Sequence, residues 1–185
     1  VVALAGCAGN PHHAGPRAPA YTAIQLIDTT PGPFRNRLYV DGERERQDAS
    51  LGGGTVTTII RRDRGVAWLL IPARRQYEEI PLDEAGPASV EARFAGLERR
   101  SLGSVLLDGG IRAEHYAWHA EDGRLVAWSW VSGDGITRRA EWPADPATGA
   151  PAAVIRLEDV RLGPQDPALF ELPAGYSPVG AGHVH

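Results

Sequence analysis

The chain has 185 residues, 43% of them apolar, and a formal charge of -4, enough for one domain with a real core. This mild charge, with no basic stripe, argues against duplex nucleic acid as a partner. Every basic side chain is Arg, which excludes a lysine nucleophile or Schiff base. With 22 Gly and 15 Pro between short apolar runs, the composition favours many strands and tight turns over long helices.

The single cysteine is Cys7, in the opening VVALAGCAGN. Leu4-Ala5-Gly6-Cys7 resembles the lipobox of bacterial lipoprotein signal peptides, with Val1 to Ala5 as the tail of an apolar segment. The resemblance implies cleavage before Cys7 and a lipid on its thiol. Ala8 stands where an Asp signals retention in the inner membrane, so the anchor resembles the outer-membrane class. The expected organisation is a truncated signal peptide over 1–6, lipidated Cys7 with a Pro/Gly/Ala tether to 20, a β-domain over 21–178 and a frayed tail over 179–185. His12-His13 in the tether reads as a solvated pair.

The domain starts with a strand over Tyr21 to Asp28. Phe34 to Val40 alternates Phe34, Asn36, Leu38 and Val40 against Arg35, Arg37 and Tyr39. Asp41-Gly42 turns it into a charged strand over Glu43 to Asp48, expected at an edge or facing water. Ala49 to Gly54 reads as a flexible loop; LGGGT lacks the Lys of a phosphate-binding loop. Thr57 to Arg62, Val66 to Ile71 and Gln76 to Ile80 form a meander. Its middle strand is apolar at all six positions, so it needs apolar cover on both faces: a helix, a second sheet or a ligand. Ser89 to Leu97 is the one convincing helix, with Val90, Phe94 and Leu97 on one face. DG-type turns then separate strands over Arg99 to Leu107, Ile111 to His119, Leu125 to Val131 and Ile136 to Trp142. Ala152 to Leu162 favours strand, and Asp166 caps a short turn bearing Phe170 and Leu172, residues that close the sheet.

Three stretches in this order resemble the LolA/LolB-like periplasmic lipoprotein carriers and receptors of the outer-membrane lipoprotein-sorting superfamily. They are Leu38-Tyr39-Val40-Asp41-Gly42-Glu43-Arg44, then Arg62-Asp63-Arg64-Gly65-Val66-Ala67-Trp68 through Pro72 to Tyr77, and Asp166-Pro167-Ala168-Leu169-Phe170 to Pro173. The strands and turns above number about ten or eleven, and the resemblance implies that they form a mainly β fold, an unclosed antiparallel β-barrel with a short helix over the concave face. It also implies acyl chains held on that face. A preceding N-terminal helix and a projecting apolar loop are missing from the pattern, so an envelope lipoprotein of this fold is implied rather than the receptor itself.

No catalytic constellation is evident. There is no G-x-S-x-G, and Glu78-Glu79 point to opposite faces of a strand. His115 and His119 share a strand face about 13 Å apart, too far for an easy metal pair, and His183 and His185 lie in the tail. No metal or cofactor is expected, and the chain reads as a non-enzyme. The aromatics carry the remaining signal. Trp128 and Trp130 share one strand face, Tyr116 and Trp118 share one on the strand before, and Trp142 ends the next. With Trp68, Tyr77 and Phe94 they are candidates for the wall of one concavity. Alternation requires Trp128 and Trp130 to behave alike, and Ala127 and Ser129 oppositely. The expected function is a lipid-anchored periplasmic protein at the outer membrane that binds an acyl chain or a lipid-modified protein. The alternatives are an envelope protein-interaction module with a filled core, using its Arg-rich strands, and an unrecognised hydrolase.

Overall fold

A computed structural model describes residues 19–29, 32–51, 54–82, 90 and 92–180. Cys7, most of the tether, Ser89 and the last five residues lie outside the described residues. The described residues form one sheet of twelve strands, ordered β12-β6-β5-β4-β3-β2-β1-β11-β10-β9-β8-β7. The strands are β1 (Tyr21–Thr29), β2 (Phe34–Asp41), β3 (Arg44–Leu51), β4 (Gly54–Arg61), β5 (Val66–Ile71), β6 (Gln76–Pro81), β7 (Glu98–Leu107), β8 (Ile111–His119), β9 (Leu125–Ser132), β10 (Thr137–Trp142), β11 (Ala153–Leu162) and β12 (Ser177–Pro178). All pairings are antiparallel except β12 with β6. The two ends of the row, β7 and β12, do not pair with each other, so the barrel is unclosed as expected. The strand beyond the expected count is β12, too short to leave an alternating pattern.

Directly paired residues point to the same side of a sheet, so the register sorts every side chain. On one face, which we call inner, Trp118 pairs with Ala127, Ser129 with Ala140, Ala140 with Ile155, Ile155 with Ile27 and Ala23 with Leu38. The same face continues through Val40 and Glu45 to Ile60 and Ala67. Val90 and Phe94 pack on it against Ala127, Ala140 and Ile155. A bulge where β11 meets β1 places Asp159 at φ 50, and Leu157 and Val160, three apart, both pack against the Tyr21–Leu38 cluster.

The outer face carries Ile59, Trp68, Leu70 and Tyr77 in register. Phe170 seals it, fully buried against Ile59, Trp68 and Leu70. Asp166 caps the 3-10 turn Pro167–Phe170 by accepting from the Ala168 backbone N–H at 2.9 Å. Arginines fasten it. Arg61, only 5% exposed, donates to the Phe170 carbonyl at 3.2 Å and forms ion pairs with Glu171 at 2.5 Å and Asp63 at 2.6 Å. Arg46 donates to the Leu169 carbonyl, and Arg44 lies 5.0 Å over the Phe170 ring. This is the apolar cover that β5 required on one side: Trp68 and Leu70 lie under the C-terminal turn, while Ala67 faces inward.

Three expectations change. The charged strand is not an edge: β3 lies between β2 and β4. It sits inside because its charges are paired, Arg44 with Asp41, Arg46 with Asp48 and Glu45 with Arg62. The glycine loop over Ala49 to Gly54 is largely strand, since the β3–β4 ladder runs on to Leu51 opposite Gly54. The described part of the expected helix is a single 3-10 turn, Ala92–Phe94. Gly96 at φ 77, a conformation that favours glycine, follows two residues later.

Candidate functional site

The structure divides the candidate aromatics between the two faces. Phe94, Tyr116, Trp118 and Trp142 are on the inner face. Trp68 and Tyr77 are on the outer face under Phe170, and Trp128 and Trp130 are also outward. One wall containing all eight is therefore excluded by the period of two. Trp128 and Trp130 do behave alike, and Ala127 and Ser129, both fully buried, oppositely.

The inward group is packed into itself. The Phe94 ring stacks on Trp118 at 4.4 Å and 4°, and on Trp142 at 5.7 Å and 13°. Trp118 Nε1 donates to Ser129 Oγ at 2.8 Å, which satisfies the half-buried indole. Arg99 lies 4.5 Å over Tyr116 and Arg93 5.4 Å over Trp142. Outside, Trp130 is sandwiched by His115, stacked at 4.4 Å, and by Arg139 at 5.2 Å. Burial holds the His115 imidazole below its ordinary pKa. Trp68 Nε1 is bound to Glu79 at 2.8 Å.

Space opens farther along the inner face. A cavity of ≈380 Å³ has an apolar wall of Tyr21, Leu38, Val40, Val90, Ile136 and Leu157, within the size range of small-molecule sites. Its polar members include Gln25, Glu45, Arg62 and Thr137. Tyr21 and Gln25 come from β1, Leu38 and Val40 from β2, Leu157 from β11. The β9–β10 turn supplies Ile136, 1% exposed. That turn is built by Asp134, which accepts from the Ser132 hydroxyl at 2.6 Å and the Ile136 N–H at 3.1 Å. Burial alone would raise the Asp134 pKa; these bonds and Arg138 outweigh it and hold the carboxyl below its ordinary range.

At the polar end the Glu45 carboxylate, 2% exposed, accepts from Arg62 at 3.1 Å and from Gln47 at 2.6 Å. Gln25 Oε1 accepts from Asn36 Nδ2 at 3.2 Å. No group of three or more metal-ligating side chains occurs among the described residues.

These wall residues were not singled out in the sequence. Their signal was there: the period-two set Asn36, Leu38, Val40 on β2 and the matching Tyr21, Ala23, Gln25 on β1. Phe94, Trp118 and Trp142, aromatic residues that bury much area each, fill space on the inner face, and of the aromatics it is Tyr21 that lines the cavity.

No family model matches the chain, and no curated protein is similar to it in sequence. Several solved structures are similar. An uncharacterized conserved protein from Thermus thermophilus has a TM-score of 0.61 at 15% identity, covering 88% of this chain and 90% of that one. MucB has a TM-score of 0.54 at 13% identity, covering 85% of this chain, which spans only 58% of MucB; MucB in complex with MucA(peri) gives 0.50. A LolA superfamily protein from Nitrosomonas europaea gives 0.46 at 11% identity, over 83% of this chain and 90% of that one. At such identities the likeness is one of fold: this chain shares with known structures an open antiparallel sheet, and its own sequence decides what the inner face holds.

Proposed function

We propose that this protein binds an apolar or acyl ligand in the inner cavity, as a lipid-anchored protein of the bacterial cell envelope. The observation that carries the reading is the ≈380 Å³ cavity with its apolar wall of Tyr21, Leu38, Val40, Ile136 and Leu157. Burying each methylene of a chain there contributes about 0.8 kcal/mol, so even a partly enclosed acyl chain binds measurably. Trp118 and Trp142, with Phe94 stacked on both, stand on the same face as optical reporters. The activity is carriage or reception, not catalysis. Leu4-Ala5-Gly6-Cys7 supports an anchor on Cys7 and a location at the periplasmic face of the outer membrane.

The test is titration of the soluble domain with a fatty-acyl ligand, followed by tryptophan fluorescence. Wild type responds saturably, and Leu38→Asp, which puts a charge in the wall, does not. A wild-type protein that ignores every acyl ligand refutes the reading. Cys7→Ala removes acyl labelling and membrane association; an unmodified Cys7 thiol in the mature protein refutes the anchor. A second reading, an envelope module that grips a protein partner, draws on MucB, a protein of similar fold solved with MucA, and on the solidly filled Phe94 end of the inner face. It predicts pull-down of an envelope protein without retained lipid.

A further inference from the structure

The apolar wall of the inner cavity accounts for a tail but not for the polar groups at its end. Glu45 and Arg62 both line the cavity, joined at 3.1 Å. Their environments differ: the Glu45 side chain is 3% exposed, that of Arg62 27%. Solvent therefore screens the cation more than the anion, and the dry end of the cavity feels the carboxylate. Gln25, 4% exposed, stands on the same wall. Asn36 occupies its Oε1, so the group it offers a ligand is the Nε2 donor.

From this geometry, and resting on the acyl-binding reading above, we infer that Glu45 sets the charge selectivity of the cavity. With Arg62 neutralised beside it, the polar end accepts an uncharged hydrogen-bond acceptor, such as an ester carbonyl meeting Gln25 Nε2, and turns away a carboxylate. The ligand class is thus a neutral acyl ester rather than a free fatty acid anion. A cavity built for fatty acid anions presents an uncompensated cation at its polar end; here that cation is already taken by a buried carboxylate.

The experiment compares monodecanoylglycerol with decanoate at pH 8 by isothermal titration, with the apolar dye N-phenyl-1-naphthylamine as a probe of the cavity itself. Wild type binds the ester tighter by about tenfold, the upper end for one hydrogen bond between neutral groups. Glu45→Gln frees the Arg62 charge and shifts the ester-to-acid ratio toward the acid by about tenfold or more. Arg62→Gln leaves the carboxylate alone and shifts the ratio the other way, so the two variants move oppositely even if one is less stable. Gln25→Leu, which removes the Nε2 donor from the wall, weakens the ester more than the acid and so lowers the ester-to-acid ratio. Equal binding of ester and acid by wild type, or a ratio that Glu45→Gln leaves unchanged, overturns the inference while dye binding upholds the cavity. Failure of dye, ester and acid alike overturns the acyl-binding reading with it.

Discussion

Phe170→Ala tests how the outer face is closed. The ring is fully buried against Ile59, Trp68 and Leu70. Removing a buried Phe side chain costs about 3–5 kcal/mol in transfer and cavity terms. The stack of Arg44 over the ring at 5.0 Å adds a fraction of a kilocalorie, about 0.5 at a partly exposed site. Some relaxation is available because the turn is a chain segment near the C-terminus, so the lower part of the range, about 3 kcal/mol, applies. For a domain of this size that is a fall in Tm of about 6–12 °C. Urea denaturation followed by tryptophan fluorescence and by circular dichroism measures it, and the m-value should stay constant. A loss at least as large must appear in a chain truncated before Asp166, which removes the turn, β12 and the partners of Arg61 at once. A loss under about 1 kcal/mol in both variants refutes the docking of the C-terminal turn on β4 and β5.

Other expectations follow from the same geometry. Phe94→Ala removes the ring between Trp118 and Trp142 and costs about 3 kcal/mol, read by urea denaturation. Hydrogen bonding from Arg61 holds the Asp63 carboxyl below its ordinary range, and for Glu171 the same arginine with Arg64 outweighs a burial effect in the opposite sense. Depressed carboxylates stabilise the fold above their unfolded pKa of about 4 and lose that contribution as pH falls through the folded value. Acid titration should therefore loosen the C-terminal turn first, and Arg61→Met should flatten that limb; because both carboxylates are partly exposed, the effect is modest and shrinks in salt. His115 has its pKa lowered by burial, so it is neutral at pH 7 and its contribution is lost as pH falls below about 6.5. Protonation should quench stacked Trp130 with a midpoint below that value, and His115→Phe should abolish the quench.

The strand plan was legible because its signals are local. Asp-Gly turns fix hairpins, and the apolar run Val66 to Ile71 gives a strand with the observed bounds. Even the demand for cover on both faces of β5 was readable from its composition. What covers it was not, since the Phe170 turn arrives from about a hundred residues downstream through Arg61. The same limit explains β3. Its ERERQD sequence reads as an exposed edge until Arg62, Asp41 and the C-terminal turn neutralise it. Trp128 and Trp130 could be assigned to one face from alternation, but alternation does not say which face is inward. That was decided by Ala127, Ser129 and Ala140, small residues over which Phe94 and Val90 fit. The cavity wall was hidden for a related reason: Leu38, Val40 and Leu157 are ordinary strand residues whose empty neighbourhood is a property of three strands and a turn together.

Native mass spectrometry of the full-length protein extracted from bacterial envelopes bears most directly on the acyl-binding claim. The account predicts an acyl lipid retained at one copy per chain in wild type and absent from Leu38→Asp, with both proteins folded by circular dichroism. Wild-type protein that is folded and carries no noncovalently bound lipid, or an equal amount of such lipid on Leu38→Asp, contradicts it.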